Sequence, residues 1–162
     1  VAAYFVRFTY CVAGTPLRGT LYPPRAVLFD RRHASYRQDG HTQQLAISGP
    51  TRFLRGRILH DDRKPLSRWL WSQERYARLE CDKLLASPFR SLSWPDRIRR
   101  GAVFAPMLVL FHTLLLKGLL LDGWCGWFYT LQRTYAELLL SLYLLEAKLG
   151  RGRKGEEELG KR

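Results

Sequence analysis

The stretch that most constrains this chain is "APMLVLFHTLLLKGLLLDGWCGWFYTLQR", residues 105–133. From residue 101 the chain carries no Lys, Arg, Asp or Glu until Lys117, and one bilayer crossing needs about 20 apolar residues. The stretch is therefore borderline for a span, yet too continuously apolar for a surface helix with two distinct faces. Gly118 and Gly123 interrupt it, and aromatic residues of the kind that settle at membrane interfaces follow. We predict two apolar membrane-associated helices over 101–150, joined at a glycine corner, with four residues at the headgroup level: Lys117, Asp122, Trp124 and Trp127.

The net charge of +13 comes from 27 Lys and Arg against 14 Asp and Glu. The basic excess lies before residue 101 and ends in Arg97, Arg99 and Arg100. Positive charge beside an apolar segment suits an anionic lipid surface, and it also suits nucleic acid, so charge alone leaves both open. Under the positive-inside rule the three arginines are expected at the membrane interface on the cytoplasmic side.

The remaining composition points to an ordered intracellular protein. Three cysteines without a CxxC spacing argue against a disulfide framework or a zinc site. Residues 1–65 alternate aromatic and β-branched residues with Gly and Pro, which predicts short strands and loops. Residues 66–100 predict an amphipathic helix with Ser67 as N-cap, followed by a basic linker, and the polar residues 151–162 predict a disordered tail.

Four segments in a fixed order carry a resemblance: "GTLYPPRAVLFDRRHASY", "GHTQQLAISG", "RILHDDRKPLSRWLWSQERYARLE" and "LLLKGLLLDGWCGWFYTLQRTYAELL". This order resembles the C-terminal half of bacterial family 2 glycosyltransferases, especially enzymes that build lipopolysaccharide core and other envelope glycans. The resemblance implies an α/β chain with part of an A-type glycosyltransferase fold, in which residues 1–65 form the acceptor side of the catalytic domain. It also implies a nucleotide-sugar donor, a lipid-linked or envelope-glycan acceptor, and a place on the cytoplasmic face of the bacterial inner membrane.

The family's Asp-x-Asp metal motif is not found in this sequence. We therefore expect the nucleotide-binding half to lie outside this chain, and we expect no independent catalysis by these 162 residues. The complete enzyme is expected to use a divalent metal, Mg or Mn, with ligands mostly outside this chain.

Glycosyl transfer with inversion needs a base for the acceptor hydroxyl, and a metal neutralises the leaving diphosphate. In the family this base is an acidic residue near the position of His41, but here Thr42 stands where Glu is common. Asp39 is then the nearest carboxylate, and Gln43 is suited to orient the acceptor hydroxyl. The resemblance thus predicts a catalytic group of Asp39, His41 and Gln43.

The same resemblance assigns substrate binding to Tyr22, Arg31 and Arg32, and metal binding to His60. Arginine suits a diphosphate because its guanidinium donates forked hydrogen bonds, and histidine is a common transition-metal ligand. From the residues alone other roles stay open: a solvated arginine pair, a structural histidine at a strand end, and a turn role for Asp39.

Two rival functions follow from the same sequence. A non-catalytic basic module anchored on the membrane explains the charge and the apolar segment without any sugar chemistry. Nucleic-acid binding explains only the charge and leaves residues 101–148 without a role, so we expect no nucleic-acid partner.

Overall fold

The computed structural model describes residues 1–39 and 42–159, without the side chains of residues 39, 42 and 151–159. Helix accounts for 53% and strand for 26%, which confirms the α/β class. Six strands precede four α-helices in the described residues: β1 (Ala3–Val12), β2 (Thr15–Pro16), β3 (Arg25–Phe29), β4 (Ala34–Asp39), β5 (Thr42–Ile47), β6 (Thr51–Asp61), α1 (Leu66–Ala86), α2 (Trp94–Arg100), α3 (Ala105–Phe111) and α4 (Gly123–Leu159).

Strand β1 is the centre of a mixed four-stranded sheet. Strands β2 and β3 pair antiparallel with its two ends, and β6 pairs parallel with nearly its whole length. In the described residues β6 pairs only with β1, and its Phe53 and Leu59 side chains are exposed. Parallel strands are normally covered on both faces. Since Phe53 and Leu59 are exposed, this sheet has an uncovered apolar surface.

Strands β4 and β5 form a separate antiparallel hairpin. Its register pairs Gln38 with Gln43 and Asp39 with Thr42. The hairpin therefore carries two of the predicted catalytic residues, Asp39 and Gln43, whereas Gly40 and His41 lie outside the described residues.

The predicted amphipathic helix is present as α1, but Ser67 is not its N-cap. The cap is Pro65, and the helix begins at Leu66 without a side-chain cap bond. The following residues are not only a linker, because they form α2. Here Ser93 is the N-cap and accepts a hydrogen bond from the Asp96 backbone, and Pro95 occupies the first turn, a favourable start for a helix.

The buried core joins α1 to α4. Ala77, Cys81 and Leu84 of α1 pack against Leu140 and Leu144 of α4. Leu84 and Leu144 are fully buried, so the helical layer is held together mainly by removal of apolar surface from water.

The apolar stretch bends sharply between α3 and α4. Helix α3 continues as a π-helical turn, His112–Leu116, and a 3₁₀ turn, Leu119–Asp122, follows. Gly118 and Gly123 adopt positive φ angles of 69° and 55°, conformations that favour glycine. In the described part of the chain no single helix has both the length and the apolar character to cross a bilayer. Only the bent pair Ala105–Leu116 and Leu119–Gly150, at 72°, meets that standard together.

Helix α4 continues to Leu159, whereas the sequence predicts a disordered tail from residue 151. Arg, Lys, Glu and Leu are good helix formers, and extending an existing helix avoids the cost of nucleation. This difference concerns the backbone of residues 151–159 alone.

Candidate functional site

An aromatic cluster surrounds His60 at the end of β6. The Tyr22 ring stacks on the imidazole with centroids 5.0 Å apart and an interplanar angle of 20°. Tyr10 lies 5.1 Å from His60 and Phe8 lies 6.3 Å from it. The parallel register pairs Tyr10 with His60, so this cluster is built by β1 and β6 and closed by the loop that carries Tyr22.

Burial raises the pKa of the Tyr10 phenol, because the charged form loses hydration. Arg133 acts in the opposite direction, and Asp62 adds to the increase. Tyr10 also contacts the Tyr129 ring at 4.8 Å, which links the cluster to α4. The phenol is therefore a neutral hydrogen-bonding group at neutral pH, not an anionic one.

The loop of residues 17–22, called the docking loop below, is fixed onto the bend between α3 and α4. The Asp122 carboxylate accepts hydrogen bonds from the Arg18 backbone N–H at 2.8 Å and from Arg18 Nε at 3.1 Å. The Tyr129 hydroxyl accepts from the Leu21 backbone N–H at 2.9 Å and lies 3.1 Å from Thr20 Oγ1. The loop and the bend therefore behave as one packed unit.

Apolar packing completes this joint. Leu17 of the docking loop, Leu119 of the bend and Tyr129 of α4 form a buried cluster. Leu119 is fully buried, and Tyr129 is 2% exposed. Buried apolar contact and satisfied hydrogen bonds occur together here, which is the combination expected of a rigid joint.

Two glycines permit the close approach of the backbones. A Cβ on Gly19 would lie 2.8 Å from the Lys117 carbonyl oxygen and 2.9 Å from its Cβ. A Cβ on Gly126 would overlap the Leu119 carbonyl oxygen. The spacing of glycines in "KGLLLDGWCG" is thus explained by backbone packing and positive φ, independently of any membrane.

An apolar face lies on the outer side of the same bend. Leu116 is 78% exposed and Trp124 is 88% exposed. Neighbouring large apolar residues are exposed as well: Phe104, Met107, Leu108, Phe111, Leu115, Leu120 and Leu121. Leu108, Phe111, Leu115 and Leu116 line one cavity, and exposed apolar patches mark interaction surfaces on proteins.

The residues predicted at the headgroup level separate into two groups. Trp124 and Trp127 are exposed beside the apolar face, and Lys117 is half-buried. Asp122 is different from its prediction, because its side chain is 7% exposed and is occupied by Arg18. Its carboxylate holds the docking loop and does not mark an exposed headgroup position.

The arginines of α2 also bind within the protein. Arg99 makes a two-pronged ion pair with Glu137 of α4, with Nη2 2.7 Å from Oε1. Arg97 donates to the Leu92 and Arg90 carbonyls, and Arg100 donates to the Ser87 carbonyl. These hydrogen bonds fasten α2 to its neighbours, and the expected place of Arg97, Arg99 and Arg100 at the membrane interface stays a prediction.

The predicted substrate-binding residues do not come together. Tyr22 lies beside His60, near the end of β1 that includes Tyr10. Arg31 and Arg32 follow β3, whose Phe29 pairs with Ala3 at the opposite end of β1. At about 3.3 Å per residue the two ends are roughly 20 Å apart, so one diphosphate does not contact both groups.

Arg32 is also occupied. Its guanidinium binds Asp30 through Nε and Nη2, the latter at 2.7 Å. The side-chain hydrogen bonds from Arg32 hold the pKa of Asp30 well below its usual range. A phosphate would have to compete with this carboxylate for Arg32, whereas Arg31 is exposed.

The predicted catalytic group remains a prediction. Asp39 and Gln43 lie on neighbouring strands of the hairpin, and Gln43 is exposed, while His41 lies outside the described residues. The adjacent Gln44 lines a cavity of about 590 Å³ with residues of α1 and α2, including Lys83 and Arg99. The hairpin thus faces the helical layer, and no described hydrogen bond or ring contact joins Gln43 to Tyr22 or His60.

The predicted metal role of His60 does not fit its surroundings. Its neighbours are the rings of Phe8, Tyr10 and Tyr22, whereas Mg²⁺ and Mn²⁺ take carboxylate and other oxygen ligands. No group of three or more His, Cys, Asp or Glu side chains suited to a metal occurs among residues 1–38 and 43–150. Nearby Asp61 accepts from the Gly14 backbone and from Arg63, and so stabilises the β1–β2 turn.

Sequence reasoning missed Arg18 and Tyr129 as members of this site. Arg18 lies between Leu17 and Gly19 in a loop whose partners are more than a hundred residues away. The one local signal was Asp122, the acidic residue inside an otherwise apolar stretch. A carboxylate in such a place requires a cationic partner, and Arg18 is that partner.

Comparison with known proteins gives no assignment. No protein-family model matches the chain, and neither a curated protein nor a solved structure does. The function is therefore argued from the residues and their geometry.

Proposed function

We propose that this chain is the acceptor-side and membrane-side part of a glycosyltransferase that moves a sugar from a nucleotide sugar to a lipid-linked or envelope-glycan acceptor. The observation that carries the proposal is the joint between the docking loop and the bend. Through Arg18–Asp122 and Tyr129, the loop that holds Tyr22 is fixed to the residues beside the exposed apolar face. In this proposal Tyr22 contacts the lipid-borne acceptor, and the joint holds Tyr22 at a constant height above the bilayer.

The apolar face supports a lipid surface as its partner. Trp124 and Trp127 lie beside it, and tryptophan settles at the headgroup level because its ring is amphipathic. Neither of the two bent helices alone has the length and apolar composition needed to cross a bilayer, and only the pair together does. This favours helices that enter one leaflet. We therefore propose the cytoplasmic face of the bacterial inner membrane as the site of action.

The open sheet supports a second half of the catalytic domain. Strand β6 has an unpaired edge in the described residues and exposed apolar side chains. The parallel pairing of β1 with β6 supports the proposal that an A-type glycosyltransferase sheet continues beyond this strand. That half would supply the nucleotide site and the metal ligands, since the residues around His60 do not fit a metal.

Within this proposal the hairpin carries the base. The Asp39 carboxylate takes the proton from the acceptor hydroxyl, whose oxygen attacks the anomeric carbon as the bond to the diphosphate breaks. Gln43 orients the hydroxyl by hydrogen bonding. The leaving diphosphate keeps the electron pair of the broken bond and its negative charge. The role of His41 stays a prediction.

Two observations test the proposal. The reading frame upstream of Val1 is expected to encode a parallel α/β pattern with a strand that ends in Asp-x-Asp. The polypeptide encoded by that whole frame is expected to transfer labelled sugar to a membrane extract. Asp39→Asn should lower the rate about 10²- to 10⁴-fold, the range for loss of a general base. The control is Asp82→Asn, at an exposed position of α1.

A non-catalytic membrane-anchored module is the alternative, because the apolar face alone would support it. It predicts vesicle binding, no transfer by the whole polypeptide and no upstream Asp-x-Asp. The absence of transfer with every nucleotide sugar tested, together with an upstream frame lacking that motif, would overturn the enzymatic proposal.

A further inference from the structure

A small basic cavity lies between the aromatic cluster and the bend. Its volume is about 200 Å³, and its walls come from β1, the docking loop, β6 and the bend. Four cationic residues line it, Arg7, Arg18, Arg57 and Lys117, and the Arg7 guanidinium lies 5.3 Å from the centroid of the Phe53 ring. No acidic residue is among its lining residues, all of which are described.

Most of this positive charge is uncompensated. Arg18 pairs with Asp122, but among the described residues Arg7, Arg57 and Lys117 have no carboxylate partner within salt-bridge distance. Like charges around a small cavity repel one another. A bound anion would relieve that repulsion and gain charge-assisted hydrogen bonds.

The size and the residue types indicate which anion. Pockets that take a whole drug-sized ligand measure roughly 300–1,000 Å³, so this cavity suits one charged group. Arginine donates in a fork that matches phosphate oxygens, and lysine provides a compact positive charge. Tyr22 and Phe8 form an apolar wall beside these cations.

The position of the cavity connects it to the lipid-facing surface. Lys117 lines the cavity and directly follows Leu116, one of the most exposed residues of the apolar face. Arg18 both lines the cavity and ties the docking loop to the bend. A group bound here therefore lies beside Lys117, whose neighbour in sequence, Leu116, is exposed on the proposed membrane surface.

We infer that this cavity binds a phosphoryl group, a phosphate monoester or a diphosphate, of a substrate at the membrane surface. The binding follows from the cavity itself, and only the naming of its carrier as a glycosyltransferase substrate rests on the proposed function. The group is carried either by a lipid headgroup or by a soluble diphosphate. Both sources present anionic phosphoryl oxygens to the cations that line the cavity.

The test uses the 162-residue chain and two kinds of probe. Inorganic pyrophosphate binding is measured by calorimetry. Vesicle binding is measured by flotation with phosphatidylcholine alone, with added phosphatidic acid, a phosphate monoester, or with added phosphatidylglycerol, a diester, at equal surface charge. The variant Arg57→Gln/Lys117→Gln removes two cavity cations whose side chains make no described hydrogen bond or ion pair.

The matched control is Arg52→Gln/Arg55→Gln. Both residues lie on β6, are exposed and do not line the cavity, and the control loses the same net charge. Far-ultraviolet circular dichroism and thermal unfolding verify that both variants fold. We expect the cavity variant to bind the phosphoryl probe at least tenfold more weakly than the wild type, and the control to stay within about twofold.

Each outcome has one meaning. Pyrophosphate binding lost only in the cavity variant supports a soluble diphosphate, and a preference for phosphatidic acid lost only in that variant supports a lipid headgroup. Equal losses in both variants, or no binding of either probe by the wild type, would overturn the inference. Flotation with phosphatidylcholine alone reports on the apolar face, so failure of the cavity inference is distinguishable from failure of the membrane proposal.

Discussion

Asp122 binds Arg18 across 104 positions of the sequence, with its two carboxylate oxygens 2.8 Å and 3.1 Å from the backbone nitrogen and Nε of that arginine. A carboxylate inside an apolar stretch is thereby given a structural function. It connects the loop of the aromatic cluster to the bend of the apolar helices.

Removal of this carboxylate is expected to weaken the joint. Asp122→Ala leaves the Arg18 backbone N–H without its partner and should lower the free energy of unfolding by about 1–3 kcal/mol. Asp82→Ala, on the exposed side of α1, should change it by less than about 0.5 kcal/mol. Urea unfolding of both variants checks this, and equal small effects would show that the ion pair contributes nothing.

The Tyr129 hydroxyl provides an independent test of the joint. Tyr129→Phe removes the buried acceptor of the Leu21 N–H and should cost about 1–2 kcal/mol, because a buried donor is left unpaired. Tyr135→Phe on the same helix is the control, since Tyr135 is 40% exposed. A lower melting temperature for Tyr135→Phe than for Tyr129→Phe would argue against the joint.

Gly126 is expected to tolerate no side chain. In Gly126→Ala the new Cβ overlaps the Leu119 carbonyl, so α4 must move away from the bend at a cost of about 1–3 kcal/mol. Gly150→Ala is the control in the same helix, because nothing lies near its added Cβ, and alanine there should stabilise by about 0.5–1 kcal/mol. Opposite signs in the two unfolding measurements are the expected result.

The Tyr10 phenol predicts a pH dependence. Its pKa is raised in the folded state from 10.0, so its contribution is fully present below about pH 10 and is lost as the pH rises through the folded pKa. The difference in unfolding free energy, wild type minus Tyr10→Phe, should be constant from pH 7 to 9 and then fall. A difference that stays flat or increases up to pH 11.5 would contradict the burial of this phenol.

Local patterns made much of the secondary structure predictable. Aromatic and β-branched residues interrupted by Gly and Pro predicted short strands in residues 1–65, where the described structure has six strands. The helix after Pro65 followed from its amphipathic spacing. Ser67 was wrong as a cap, since Pro65 is the N-cap and the helix begins at Leu66, two residues before the start that a Ser67 cap implies.

The site was less predictable, because its partners are distant in sequence. The stacking of Tyr22 on His60 depends on the parallel register of β1 and β6, which no local pattern specifies. Arg31 and Arg32 were grouped with Tyr22 by the family resemblance, yet β3 carries them to the other end of the sheet. Arg97, Arg99 and Arg100 were placed at the membrane interface from their charge alone, because sequence does not reveal that Glu137 and backbone carbonyls receive their hydrogen bonds.

We propose that the apolar face around Leu116 and Trp124 docks on lipid, and flotation with phosphatidylcholine vesicles in 0.5 M salt measures this docking. Salt at this concentration screens surface charge but leaves apolar burial intact. The wild-type chain is expected to float with the vesicles, whereas Leu116→Glu/Trp124→Glu should remain at the bottom of the gradient. The control Leu149→Glu, on α4 away from the bend, should float like the wild type. Recovery of the wild-type chain wholly in the soluble fraction, even at low salt, would contradict the account.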